Sequence, residues 1–345
     1  MAEPDYRAYA GAGMAALHRW YDPQAGQWNT TGWWNAANAL TAVILYTKLT
    51  GDTTYEGVIA TTFEAAQHQH ANFVNDYYDD NAWWALAWIA AYDLTANTRY
   101  LGAAQTIFAH NTTGWDEVCG GGLWWTVART YKNAITNELF LALAAQLHLR
   151  TPGDRSYLTW ALREWEWFSA SGLIGAGRLI NDGLTSACAN NAGPTWTYNQ
   201  GVILGGLGAL SEITGDRGYL DQAVSIADAT MRTLVTPPPA DQEPQGTQPP
   251  PGILTEPCED TTAGCNGDQV QFKGIFIRNL YDLWLRTSQP EYRAFILANA
   301  SCVWANNTNA DSQFGMVWTG PFDQADAARQ SSALDALIAA AALSG

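Results

Sequence analysis

Five times along the chain an apolar stretch runs into a threonine, a short polar turn and then a tyrosine, and this recurrence restricts the fold more than any other feature. "YTKLTGDTTY" ends at Tyr55, "YDLTANTRYL" carries Tyr100, "LHLRTPGDRSYL" carries Tyr157, "LSEITGDRGYL" carries Tyr219, and "YDLWLRTSQPEY" ends at Tyr292. Successive tyrosines lie 45, 57, 62 and 73 residues apart, room for two helices and their loops in each unit. The segments between are rich in Ala and Leu with helical periodicity, as in "NELFLALAAQLHL" and "QGVILGGLGALSEI". Few alternating β-branched runs compete with them. Five such turns, with helices before the first and after the last, predict about six helical hairpins. The uneven loop lengths suit a closed (α/α)6 toroid with a ligand site at one mouth better than an open array. The proline-rich stretch at 235–260 forbids helix, but the turn motif occurs on both sides of it. We therefore expect one all-α domain over residues 1–345, with 235–260 as an excursion and "ALIAAAALSG" in a final amphipathic helix.

Apolar residues make up 47% of the chain and charged residues only 14%, so a large core can be buried. The formal net charge of −16 excludes a nucleic-acid partner and argues against anionic membranes, leaving a neutral or cationic ligand. No apolar run reaches the ~18 residues of a membrane-spanning helix. Seventeen Trp and fifteen Tyr are many for this length, and rings beyond the needs of a core serve as stacking platforms for planar or sugar ligands. Cys258 and Cys265 stand close together in a polar stretch and are expected to form a disulfide, with Cys119–Cys188 the next pairing. The odd count leaves a thiol over. Sequons occur at Asn29, Asn111, Asn299 and Asn306. The start, Met-Ala-Glu-Pro, has no basic or apolar leader segment. The expectation is a secreted, monomeric protein whose leader is absent from this sequence.

Chemistry concentrates in "NDYYDDNAWW", residues 75–84, where Asp79 and Asp80 open an apolar helical segment. One carboxylate would serve as a helix cap. Two, among Tyr77, Tyr78, Trp83, Trp84 and Trp88, suggest a setting that water does not freely solvate. Glycoside hydrolysis needs one ionised and one protonated carboxyl across a single bond, and two carboxyls a few Å apart resist double ionisation. Neighbours at a helix start project about 100° apart and can plausibly reach the roughly 5–5.5 Å separation of a retaining pair, which favours retention over inversion. No calcium-loop pattern, no CxxC and no G-x-S-x-G occurs, so no metal, cofactor or serine nucleophile is expected.

Three further stretches offer ligand-binding groups. "CGGGLWWTVARTYKNAITNELF" brings Trp125, Lys132 and Asn133 behind three glycines. "LINDGLTSACANNAGPTWTYNQG" brings Asp182, Tyr198, Asn199 and Gln200, amide, hydroxyl and carboxylate groups suited to sugar hydroxyls, and "VQFKGIFIRNL" brings Phe272 and Lys273. Asn35 and Trp84 complete the candidate substrate-binding set. Together with "YYDDNAWWALAW", these stretches resemble, in order, the marks of glycoside hydrolase family 76, the endo-α-1,6-mannanases of bacteria and fungi. The likeness runs from about residue 33 to residue 280. It implies an (α/α)6 barrel and retaining hydrolysis of α-1,6-linked mannan without a metal, with Asp79 as nucleophile and Asp80 as acid/base. Cell-wall transglycosidases of the same family, acting on glycans of lipid-anchored proteins, and a non-catalytic mannan-binding protein are the alternative readings.

Overall fold

The computed structural model describes residues 4–239 and 251–344. Among these residues twelve α-helices account for most of the chain: α1 (Tyr6–His18), α2 (Trp33–Thr50), α3 (Gly57–Ala65), α4 (Tyr78–Thr95), α5 (Thr98–Asn111), α6 (Ala134–Arg150), α7 (Ser156–Ala170), α8 (Thr197–Thr214), α9 (Arg217–Thr233), α10 (Phe272–Thr287), α11 (Pro290–Asn306) and α12 (Ala327–Ser344). Two short antiparallel ribbons accompany them, β1 (Tyr21–Asp22) with β2 (Gln27–Trp28), and β3 (Val235–Thr236) with β4 (Ile253–Leu254).

The repeated turn has a local cause. In each copy the threonine hydroxyl donates back to a carbonyl four residues earlier: Thr50 to Tyr46, Thr95 to Ala91, Thr151 to Leu147, Thr214 to Leu210 and Thr287 to Leu283, at 2.6–2.8 Å. This satisfies a carbonyl that the last helical turn leaves open. The next residue then takes a left-handed cap in four of the five, at Gly51, Ala96, Gly215 and Ser288. An Asp or Asn side chain accepts the N–H two residues ahead and starts the following segment, as Asp52 does for Thr54, Asn97 for Arg99, Asp154 for Ser156 and Asp216 for Gly218. The five turns join α2 to α3, α4 to α5, α6 to α7, α8 to α9 and α10 to α11, and α1 packs against α12.

The chain falls into two compact units, Met1–Ala65 with Thr230–Gly345, and Ala66–Ala229. In the first, α12 packs among α1, α2, α10 and α11. Its residues from Ala327 to Ala340 are all buried, so the expected amphipathic final helix is instead enclosed on every side. In the second, α6 lies against α4, α7 and α8 and is nearly as buried, while α7 shows one inward stripe of Tyr157, Ala161, Glu164, Trp167 and Phe168. No described helix is long and apolar enough to cross a membrane.

Both expected disulfides are present, Cys119–Cys188 and Cys258–Cys265, and Cys302 is a buried free thiol. Part of the 235–260 excursion is pinned as the β3–β4 ribbon, with residues 240–250 outside the described residues. Two sequons are closed to modification by burial. The Asn111 amide donates to the Tyr78 carbonyl at 2.8 Å, and the Asn299 amide bridges the Leu254 N–H and the Phe295 carbonyl.

Candidate active site

The residues around Asp79 and Asp80 form a scaffold before they form a site. Tyr77, not an aspartate, occupies the N-cap of α4, and its side chain makes no capping bond. The two acids therefore sit in the first helical turn, at the second and third positions, where the helix N-terminus favours negative charge. Asn81 turns back on the preceding segment: its Oδ1 accepts the Asn75 N–H at 2.8 Å and its amide donates to the Asn75 carbonyl at 3.2 Å. That brace directs the Asn75 amide onto Asp80 Oδ2 at 2.7 Å. The asparagine after the acid pair is thus a positioning residue, one step removed from the carboxylates.

Asp79 is held differently. Its Oδ2 accepts the indole N–H of Trp125 at 3.0 Å, while Oδ1 is shut off from solvent without a hydrogen-bond partner. Burial pushes the Asp79 carboxyl well above the ordinary carboxylate range, and the neighbouring charge of Asp80 pushes it further. The Trp125 N–H and the backbone N–H groups at the helix start pull the other way. The two adjacent acids therefore meet unlike environments, the arrangement that separates proton affinities in acid–base sites.

Trp125 reaches Asp79 because its loop is stitched to the start of α4. The Tyr78 N–H donates to the Trp125 carbonyl at 3.0 Å, and the Val127 N–H to the Asp76 carbonyl at 3.0 Å. Lys132 anchors the far side of that loop. It is buried, and Nζ donates to Asp116 Oδ1 (3.0 Å) and to the carbonyls of Val118 and Gly121 (2.7 Å each). Burial lowers the Lys132 pKa, with Asp116 opposing. Its bonds close on the protein and tie the loop down. The glycines have the same internal purpose: a Cβ on Gly122 would lie 2.5 Å from the Trp167 ring, at a φ of +85°.

Asp182 joins the constellation from the next loop. Tyr131 donates its hydroxyl to Asp182 Oδ2, and the Trp196 indole N–H donates to Oδ1 at 3.1 Å. The hydrogen bond donated to Asp182, together with burial, raises the Tyr131 pKa, burial being the larger cause. The Tyr131 and Trp125 rings meet edge to face with centroids 6.3 Å apart. Asp182 and Asp79 are thereby linked through two touching aromatic residues. Asn133 caps α6, accepting from the Thr136 N–H at 3.3 Å. Gln200 is buried and clamps Ile180 through both its N–H and its carbonyl, at 2.9 Å each. Tyr198 is half-buried beside it. Asn199 is buried with no partner for either amide atom, and Glu138 on the facing helix α6 is likewise buried with both carboxyl oxygens unpartnered. Burial, then the charge of Asp182, raises the Glu138 pKa well above the usual range.

The remaining candidates divide between the core of this unit and the other compact unit. Trp84 is fully buried, stacked between Phe73 (5.4 Å) and Trp88 (5.7 Å) in the core behind the acid pair. Asn35, Phe272 and Lys273 belong to the other compact unit. Lys273 is buried, with Nζ on Glu259 Oε1 (2.7 Å) and the Met316 carbonyl (2.8 Å), and Phe272 packs 6.1 Å from Trp34. Asn35 is buried with its side-chain NH2 unpartnered. Asn75, Tyr131 and Trp196 were not among the sequence candidates, although each makes a direct bond to one of the three aspartates. Tyr131 had a signal, its place immediately before Lys132-Asn133. No group of three or more His, Cys, Asp or Glu among the described residues is arranged to hold a metal ion.

Comparison with known proteins covers nearly the whole chain. The mannan endo-1,6-alpha-mannosidase DCW1 of Saccharomyces cerevisiae is 27% identical over 352 residues, covering 90% of this chain and 72% of that protein. A Schizosaccharomyces pombe relative is 26% identical over 266 residues, and the match spans 71% of this chain but only 57% of that protein. Among solved structures, an inactive variant of the alpha-1,6-mannanase GH76A of Salegentibacter sp. HEL1_6, carrying alanine at two consecutive aspartates and bound to alpha-1,6-mannotetrose, superposes with a TM-score of 0.84 at 23% identity. That match covers 99% of this chain and all of the other, and it gives the fold class as the (α/α)6 toroid expected from the turn repeat. The sequence profile of glycosyl hydrolase family 76 matches residues 8–344, and the chain belongs to that family.

Proposed function

We propose that this chain is a retaining, endo-acting hydrolase of α-1,6-mannosidic linkages in mannan, and that Asp79 and Asp80 carry the reaction. The observation that carries the reading is the adjacent acid pair in the first turn of α4, one carboxyl desolvated under Trp125 and the other held by Asn75. The consecutive aspartates replaced in the inactive mannanase variant support it, as do the names of the yeast relatives.

Asp79 attacks the anomeric carbon while Asp80 gives its proton to the glycosidic oxygen. The C1–O bond breaks, a glycosyl ester forms on Asp79, and the leaving sugar departs as an alcohol. Asp80, now an anion, takes a proton from water as the water oxygen attacks C1, which frees Asp79 and restores the α-configuration. The shared proton must be on Asp80 when the bond breaks, although burial favours it on Asp79 beforehand. A glycosidic oxygen beside Asp80 draws the proton there, and the Trp125 N–H with the α4 N-terminus holds the Asp79 anion. Trp125, Asn133, Asp182, Tyr198 and Asn199 are the proposed sugar contacts, with Lys132, Gln200 and Trp84 positioning them. Asn35, Phe272 and Lys273 are proposed on the family resemblance, Asn35 with the additional support of its unpartnered amide. The profile match across 8–344 supports a single catalytic domain. We propose a monomer, since the acid pair, Trp125 and Asp182 are all supplied by the Ala66–Ala229 unit. The two disulfides support an oxidising, extracellular setting.

The test is the anomeric form and size of early products from unbranched α-1,6-mannan, followed by NMR and mass. Short α-anomeric oligomers are expected from the wild type. Asp79→Ala and Asp80→Ala should each lower turnover by about 10³-fold or more while melting near the wild-type temperature. β-Anomeric first products would overturn the retaining mechanism, and products longer than the starting oligomers would make the enzyme a transglycosidase.

A further inference from the structure

One cavity in the Ala66–Ala229 unit is not used by the acid pair. It lies between the last turns of α7, the turn at 174–178 and the first turns of α9, and has a volume of about 780 Å³. That is within the usual range of small-ligand sites. Its walls combine two half-buried rings with polar groups of both kinds. Trp165 and Tyr219 meet edge to face at 6.3 Å, and Phe168 backs the Trp165 ring nearly parallel at 6.4 Å. Arg178 Nη1 donates to Gln222 Oε1 at 3.1 Å, forming a polar bar on one side. Asp216 faces the opening, with Oδ1 already accepting the Gly218 N–H at 2.8 Å.

We infer that this groove is a second, non-catalytic binding site for a neutral polysaccharide chain. The rings offer flat faces to the C–H surface of a hexose, while guanidinium, amide and carboxylate groups match its hydroxyls, which both donate and accept. One cation and one acid line the groove, and each already has a partner, so the balance favours an uncharged ligand over a phosphate or an amine. The identity of the sugar rests on the proposed function: it is the mannan that the acid pair cleaves. The groove also adjoins the working site covalently. The turn at 174–178 closes a narrow hairpin through the Gly175 N–H to Leu179 carbonyl and Asn181 N–H to Leu173 carbonyl bonds, and the residue after that hairpin is Asp182. A polymer held here would be anchored beside the segment that delivers Asp182, so the site would raise the local concentration of long chains without touching the chemistry.

The experiment compares the wild type with Trp165→Ala and with the double variant Arg178→Ala/Gln222→Ala on α-1,6-mannotetraose and on long unbranched α-1,6-mannan. Both variants should cleave the tetrasaccharide within about twofold of the wild type and lose roughly tenfold in kcat/KM on the polymer, through KM. Equal polymer kinetics in wild type and the Arg178→Ala/Gln222→Ala variant would overturn the inference, and that variant decides the matter if Trp165→Ala melts early. If the wild type cleaves neither substrate, the proposed activity fails while the groove remains testable by electrophoresis through a mannan-containing gel. Retardation of the wild type that is lost in the variants supports the groove, and equal migration of all three overturns it.

Discussion

At the scale of single residues, the site depends on which hydrogen bond each carboxylate receives. Asp79 is desolvated and has one strong donor, the Trp125 indole N–H, on Oδ2. That bond lowers the Asp79 pKa against the larger effect of burial, which raises it. Trp125→Phe keeps a ring over the acid and removes the N–H. The Asp79 anion is then less stable, so the acidic limb of the kcat/KM profile should move to higher pH. The rate at neutral pH should fall roughly tenfold or more, the weight of a hydrogen bond to a charged group. Trp125 is 36% exposed, so the variant should melt as the wild type does. A pH profile superimposable on the wild type would show that the bond does not tune Asp79. The Asp pair and Trp125 were legible in the sequence because two acids against a row of aromatic residues break the usual rule of burial. Asn75, Tyr131 and Trp196 were not, because each is recruited by a loop whose path follows from backbone bonds far from the acids. Lys132 and Gln200 illustrate the opposite case: polar residues in a loop pattern read as ligand donors, yet their bonds close on the protein itself.

At the scale of elements, helices were legible and loops were not. The Thr-turn-Tyr unit sets its own conformation through bonds within a few residues, so it is readable wherever it occurs. The final stretch "ALIAAAALSG" reads as amphipathic, but the helix it ends, α12, is buried on every side from Ala327 to Ala340, including its polar residues Arg329, Ser331, Ser332 and Asp335. Inside the protein those groups find partners, Ser332 accepting the Gly274 N–H and Asp335 pairing with Arg278. The loop that carries Trp125 and the loop that carries Asp182 are joined by the Cys119–Cys188 disulfide, which spans 69 residues. Opening that link frees a long segment of the unfolded chain and unties the two loops. Replacing both cysteines by serine should cost about 4 kcal/mol by the chain-entropy estimate. Activity should fall more steeply with temperature than in the wild type, because Trp125 and Asp182 lose their shared tether before α4 unfolds. Denaturant melts of the two proteins, with kcat followed across the same temperatures, check this. An unchanged midpoint would mean that the Lys132 clip alone holds the loops.

At the scale of the whole molecule, the dominant property is charge. Thirty-three acidic residues against seventeen basic ones leave −16, and three of those acids, Asp79, Asp80 and Asp182, stand in the constellation of the proposed active site. Such a field neither attracts nor repels an uncharged glycan, but it opposes any anionic one at long range. Between about 0.01 M and about 1 M salt the screening length falls from about 30 Å to about 3 Å, which removes the long-range field without altering the hydrogen bonds inside the site. Cleavage of unbranched, uncharged α-1,6-mannan should therefore keep the same kcat/KM across that range. Mannan bearing phosphodiester groups should be a poorer substrate in low salt and should recover as salt rises, with the change in KM and not in kcat, because repulsion acts before the sugar is seated. Parallel salt titrations on the two polymers provide the measurement. A phosphorylated mannan that is cleaved faster in low salt would mean that a local cationic patch, and not the net charge, governs encounter, and the Arg178 side of the α7–α9 groove would then be the place to look for it.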